Sequence, residues 1–222
     1  MVLVHPRASR ADVAIYLTGA PNGFFVPFTR STPAGKKFGD SGWVGSGGDP
    51  VLTGVNSITL GLATFSNSAP SVPAGTTDIV FTFNHGDPSG LVFGSGAEQY
   101  SVVIPNVTLP AADNVDPTYF DLTIPLPNLS LDGGFNNLGW SVGVQNFNYD
   151  GSFGFQNRSA FNVLGFMTGN ASEFTPGFGW SLFSFGPLFP DNSANFVATV
   201  TIPEPASFAL LAVGVLGMIR RR

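Results

Sequence analysis

Glycine and proline interrupt this chain from one end to the other: 28 Gly and 18 Pro occupy about a fifth of its 222 residues. A Gly costs about 1 kcal/mol in a helix interior and a Pro about 3 kcal/mol, so few long helices can persist. The residues between the breakers point to strands. Phe is abundant, at 22 copies, while charged residues make up only 10% of the chain, so the Lys, Glu and Arg of ordinary helices are scarce. Aromatic and β-branched side chains suit a pleated, half-buried surface. The chain is therefore read as all-β, a single β-sandwich of jelly-roll-like type over 12–202.

Local patterning places the strands. Ile58, Leu60 and Leu62 alternate with polar or small residues, as do Ile79, Phe81 and Phe83, which is the period of a strand with one buried face. Strands are expected at 12–18, 55–65, 78–84, 100–109, 119–124, 138–149, 152–163, 179–185 and 195–202. Asp87-Pro88-Ser89-Gly90 and Asp132-Gly133-Gly134 are turn chemistry. Asp150-Gly151 is the clearest hairpin signal, because a type I′ turn needs positive φ at both central residues. Residues 19–54 read as a long Gly/Pro/Ser-rich loop carrying Arg30, Lys36 and Lys37. A loop of that length is functional, mobile, or hides a short strand near 24–28.

Composition excludes several functions. No Cys is present, so disulfides and Cys-based zinc sites are ruled out, and a core of ordinary size must hold the fold. Between Asp12 and Ile202 only four basic residues face 13 acids, a net charge of −9. A body that acidic offers no stripe for phosphate backbones, which argues against nucleic-acid binding. At the N-terminus, Ser9 and Ala11 have the small-residue spacing of a signal-peptidase site before Asp12. Only Val2, Leu3 and Val4 stand in for an apolar region of 7–15 residues. The expectation is that 1–11 is the stub of a longer leader starting upstream, the alternative being a disordered N-terminus.

The C-terminal segment, 203–222, has three parts. Pro203-Glu204-Pro205 ends the last strand, since Pro cannot donate to a ladder. An uncharged apolar run follows from Ala206 to Ile219, with Phe208, Leu210, Leu211, Val213, Val215, Leu216 and Ile219 as its large members. Arg220, Arg221 and Arg222 close the chain. As a helix the run would rise about 21 Å, short of a bilayer core of about 30 Å. Nothing polar interrupts 208–219, so a buried amphipathic helix of a soluble domain does not fit. The arginines would lie on the cytoplasmic side.

These residues resemble the PEP-CTERM sorting domain of Gram-negative and related environmental bacteria. The resemblance spans about 202–222, a tenth of the chain. It implies that exosortase, a membrane-embedded cysteine protease/transpeptidase, reads Pro203, Glu204 and Pro205. It further implies that a short transmembrane helix holds the chain in the inner membrane, with Arg220–Arg222 as the stop. Processing would release the body to the outer surface or an exopolysaccharide matrix. The family usually carries an N-terminal signal peptide, and this sequence departs from it there. The resemblance transfers an address and no activity.

Candidate chemistry in the body is sparse. His85, the one body histidine, sits among turn residues and reads as a surface side chain rather than part of a triad. Glu98, Glu173 and eleven Asp show no pairing of the kind glycosidases use. Asn146-x-Asn148-x-Asp150-Gly151 matches the first half of a Ca²⁺ loop, but Asn157 stands where a bidentate Glu belongs, and a hairpin explains the same residues more simply. Asp113-Asn114-Val115-Asp116 offers oxygen ligands of a common turn type. Trp43, Trp140 and Trp180 can stack on sugar rings or fill a core; Trp43, in the Gly-rich loop, is the one expected at the surface. Four Asn-x-Ser/Thr sites, at Asn106, Asn128, Asn157 and Asn170, carry little weight in a bacterial host. The leading expectation is a non-catalytic surface or matrix protein without a cofactor, sorted by exosortase. A carbohydrate-binding module and a secreted hydrolase stand as alternatives.

Overall fold

The computed structural model describes residues 12–45, 48–66, 70–91, 94–131, 133–158, 164–167, 171–183 and 196–203. Among these, every regular element is a strand: β1 (Asp12–Leu17), β2 (Pro21–Phe28), β3 (Lys37–Trp43), β4 (Thr53–Phe65), β5 (Ser71–Val72), β6 (Gly75–Gly86), β7 (Gly94–Leu109), β8 (Ala112–Asp113), β9 (Thr118–Ser130), β10 (Asn137–Asn148), β11 (Ser152–Arg158), β12 (Phe166–Met167), β13 (Ala171–Thr175), β14 (Gly179–Phe183) and β15 (Ala198–Pro203). The expected leader stub, 1–11, and the expected C-terminal helix with its arginines, within 204–222, lie outside the described residues. No helix among the described residues is long and apolar enough to cross a membrane.

Two antiparallel sheets build the body. In the first, β4 pairs β9 along one edge and shares its other edge between β15, at Ser57–Leu60, and β11, at Leu62–Phe65; β1 then extends β15 and β2 extends β11. The second runs β14-β13-β3-β10-β6-β7, with β12 adding to β3 beyond β13. A small β5–β8 ribbon stands apart. The inward residues of both sheets form one core. Ile58, Leu60 and Leu62 of β4 and Ile79, Phe81 and Phe83 of β6 are all buried, as their alternation requires. Rings lock the sheets together: Tyr16 meets Trp140 edge-on at 5.8 Å, and Phe28 meets Phe38 at 5.2 Å.

Three readings are corrected. Residues 19–54 hold two strands, β2 and β3, not one. β3 reads as loop because its small residues, Gly39 and Gly42, disfavour a strand in isolation. Their neighbours require them: a Cβ on Gly39 would lie 2.5 Å from the Trp140 carbonyl oxygen, and one on Gly42 2.3 Å from that of Phe166. Asp150-Gly151 is not a hairpin. β10 and β11 belong to different sheets, and neither residue has a positive φ, so this turn is an arch between layers. β13 was not anticipated at all; it joins the second sheet through Ser172↔Gly39 and Glu173↔Phe38.

The register gives the sandwich two distinct ends. β4 begins, β3 finishes and β15 finishes at one of them, where Leu131 N–H donates to Leu52 O and Leu52 N–H to Asn136 Oδ1. At the other end, β4 reaches Phe65 opposite Ser152, and Arg30 meets Asp150. A strand of 13 residues such as β4 separates them by about 40 Å.

Candidate functional site

β15 is the last described strand, and both its edges are occupied. Ala198 to Thr201 pair with Leu60 to Ser57 of β4, and Thr199 to Pro203 pair with Leu17 to Asp12 of β1. Ala198 and Val200 point into the core and are fully buried. At its end, Thr201 Oγ1 donates to Asn56 Oδ1 at 2.8 Å and lies 2.6 Å from Ser57 Oγ; Asn56 Nδ2 donates in turn to Asp12 Oδ1 at 2.8 Å. This polar clasp ties the first strand, the last strand and β4 one residue before the Ile202-Pro203 pair. Among the described residues the ladder ends at Asp12↔Pro203, and Pro203 has no N–H to extend it.

A sandwich whose final strand runs straight into a proline-flanked acid, an apolar run and terminal arginines is a folded domain carrying a C-terminal address. That address is a PEP-CTERM protein-sorting motif, whose family model matches residues 201–222. The match begins inside β15, so Thr201, Ile202 and Pro203 serve both the sheet and the signal. No curated protein and no solved structure matches the chain. The motif marks a chain that passes a membrane, is processed by exosortase and ends outside the cell or at its surface.

The structure separates the other candidate residues. Trp140 is fully buried and cannot meet a sugar. Trp43 is not in a loop: it ends β3, half-buried and stacked on Phe166 at 5.6 Å. Trp180 lies on β14 against Phe174 at 5.4 Å, level with the start of β3 through the Phe174↔Lys37 pair. Trp43 and Trp180 are thus about 20 Å apart along the strands and form no common platform. His85 belongs to β6 and is half-buried, its Nδ1 without a hydrogen-bond partner among the described residues, so the surface reading is corrected. Glu98 on β7 and Glu173 on β13 sit at opposite sides of the second sheet, about 19 Å apart by strand count, too far to act as a pair. Glu173 instead holds Lys36 at 2.9 Å.

The calcium-loop residues are engaged elsewhere. Asn146 Nδ2 donates to Asp78 Oδ2 at 2.6 Å, and Asp150 pairs with Arg30 at 2.7 Å. Asp78 also accepts from Asn106 N; that backbone bond, then Asn146, hold its carboxyl below the usual range. Asp113 caps its own turn, accepting from Val115 N and Asp116 N, which lowers its pKa through Asp116 first and Val115 second. No group of three His, Cys, Asp or Glu among the described residues is placed to hold a metal. Asn157 is buried and Asn170 lies outside the described residues.

Some features had no clear sequence signal. Asp40 is buried between the sheets, its Oδ2 accepting from Phe196 N at 2.7 Å and its Oδ1 from Ser41 N. Asp87 is buried with Ser172 Oγ at 2.6 Å and Ser89 as donors. Arg30 joins two hollows at the end remote from Pro203. One, of about 390 Å³, is lined by Thr76, Thr108, Asn148 and Asp150; the other, of about 260 Å³, by Thr29, Thr32, Gln145 and Asn146. Arg30 was visible in the sequence as one of few body cations, but its partners were not.

Proposed function

We propose that the chain is a non-catalytic surface or matrix protein, structural or adhesive in role. It is held at the inner membrane by its tail until exosortase acts, then displayed on the outer surface or in an exopolysaccharide matrix. The observation that carries this reading is the seam at Pro203, where β15, paired on both edges, reaches the first residue of the sorting tripeptide. The body is then a finished unit to be delivered. The frequent changes of sheet along the chain, as at β3 to β4 and β9 to β10, support a jelly-roll-like arrangement. The test compares the full chain with a variant carrying Pro203→Ala, Glu204→Ala and Pro205→Ala in a host that has exosortase. The native chain is expected in the surface or matrix fraction and the variant uncut in the inner membrane. Identical fractionation of the two sinks the reading.

A second reading, a carbohydrate-binding module, is favoured by one observation: the two hollows joined at Arg30 are lined by Asn, Thr and Asp side chains, which suit sugar hydroxyls. Arg30→Ala is expected to lower retention of the purified chain on host exopolysaccharide at least tenfold. Retention unchanged by Arg30→Ala and Asn148→Ala would remove this reading and leave the first.

A further inference from the structure

The end of the sandwich from which the tail departs carries a set of exposed apolar side chains that lie close together; Phe178 and Val115, more exposed still, stand singly at the remote end. Val51 is 52% exposed, Phe135 45% and Phe166 56%, and Trp43 stacks on Phe166. These belong to one end by hydrogen bonding. Val44 N–H donates to Phe135 O, Leu131 N–H to Leu52 O, and Leu52 N–H to Asn136 Oδ1. Gly54, just inside β4, lies beside Pro203, with a Cβ position 3.9 Å from the proline Cδ. Polar character distinguishes the ends further. Of the four described cations, Arg30, Lys36 and Lys37 sit at the remote end and Arg158 lies at the close of β11, partway along the sandwich, while Asp12 and Asp49 lie near the apolar end.

Chain length says what this end faces. Pro203 is the last sheet-paired residue among those described, and Phe208, the first large residue of the apolar run, is five residues on. Fully extended, five residues span at most about 18 Å. The headgroup layer on one side of a bilayer takes about 6 Å of that. When the run lies in a membrane, the Pro203 end is held within about 12 Å of the headgroups, while the Arg30 end is some 40 Å from it along the strands and under no such constraint. Trp favours that interfacial zone, and Phe serves on the apolar faces that bury at the headgroup boundary, where they are relieved of contact with water.

We propose that the end bearing Val51, Phe135, Trp43 and Phe166 is a membrane-contact surface that rests on lipid before the tail is processed. This deepens the proposed function and depends on its membrane-held stage. The contact is apolar and owes nothing to anionic lipid, since the nearby charges are acidic. It sets the body at a fixed height and tilt with Pro203-Glu204-Pro205 at the bilayer surface, where a membrane-embedded protease must read it.

The Cys-free chain permits a direct test. Single-cysteine variants of the full chain, Val51→Cys and Phe135→Cys at this end, Thr108→Cys at the remote end and Val213→Cys in the tail, are labelled with an environment-sensitive fluorophore. Each is reconstituted into phosphatidylcholine vesicles, with and without phosphatidylglycerol. Val51 and Phe135 labels are expected to shift to the blue and to lose severalfold of their quenching by an aqueous ion in both lipids, while the Thr108 label stays water-like. A lipid-buried Val213 label with water-like Val51 and Phe135 labels overturns this surface and leaves the membrane-held stage intact. A water-like Val213 label overturns both. Protection of the Val51 and Phe135 labels that vanishes on diluting the protein within the lipid assigns the face to a second copy and also overturns the proposal.

Discussion

Trp140→Ala is expected to lower the unfolding free energy by about 3–5 kcal/mol, the range for deleting a large buried aromatic. That is a large part of the 5–15 kcal/mol on which a domain of this kind rests. Trp140 is fully buried in β10, the strand between β3 and β6 at the centre of its sheet, and its ring meets Tyr16 of the opposite sheet edge-on. Its removal opens a cavity in the seam between layers, where neither backbone can collapse without breaking a ladder. The indole Nε1 has no hydrogen-bond partner among the described residues. Trp140→Phe therefore strands no polar group and should cost well under the alanine variant. Urea unfolding followed by far-ultraviolet circular dichroism measures both. A loss under about 1 kcal/mol for Trp140→Ala would show that the sheets are not joined there.

The fold class was legible because it follows from repeated, local facts. Alternating Ile58, Leu60 and Leu62 can bury one side only as a strand, and Gly and Pro deny the helical alternative everywhere at once. What was not legible depended on distant partners. Lys37–Trp43 reads as loop by composition, yet Gly39 and Gly42 are small because the Trp140 and Phe166 carbonyls lie where their Cβ atoms would be. Tertiary contact there overrides local propensity. Asp150-Gly151 failed for a related reason. A hairpin and an interlayer arch both need a turn, and only the sheet assignment of β10 and β11 tells them apart.

The site divides in the same way. Pro203, Glu204 and Pro205 form a contiguous signal that needs no folding to be read. The clasp of Asp12, Asn56, Ser57 and Thr201 joins residues up to 189 positions apart, since Asp12 meets Thr201 only through Asn56, and no spacing rule reaches that far. Trp43, Trp140 and Trp180 show the limit of residue type as evidence. Three aromatics suit a sugar platform in principle, but one fills the core and two stand at different levels of the second sheet.

Two truncations separate the fold from its address. A chain ending after Pro203 keeps every described strand, both pairings of β15 and the clasp. It is expected to melt within a few degrees of the full chain in detergent, while remaining free of membranes. A chain ending after Thr199 lacks only four more residues, but it loses Val200 from the core, a burial of about 1.5–3 kcal/mol. It also loses Thr201 from the clasp and the Val200, Ile202 and Pro203 partners of β1. Asp12 to Tyr16 then have no strand beside them, and Tyr16, which packs on Trp140, is no longer held in place. Those losses together approach the whole stability of the domain, so this shorter chain is expected to be unfolded at 25 °C by circular dichroism. A folded Thr199 truncation would mean that β15 is dispensable and that the sorting motif is not joined to the structure at all. The predicted contrast requires the opposite: a cut after Thr199 or earlier would release a body that cannot stay folded, so processing is expected C-terminal to Thr199.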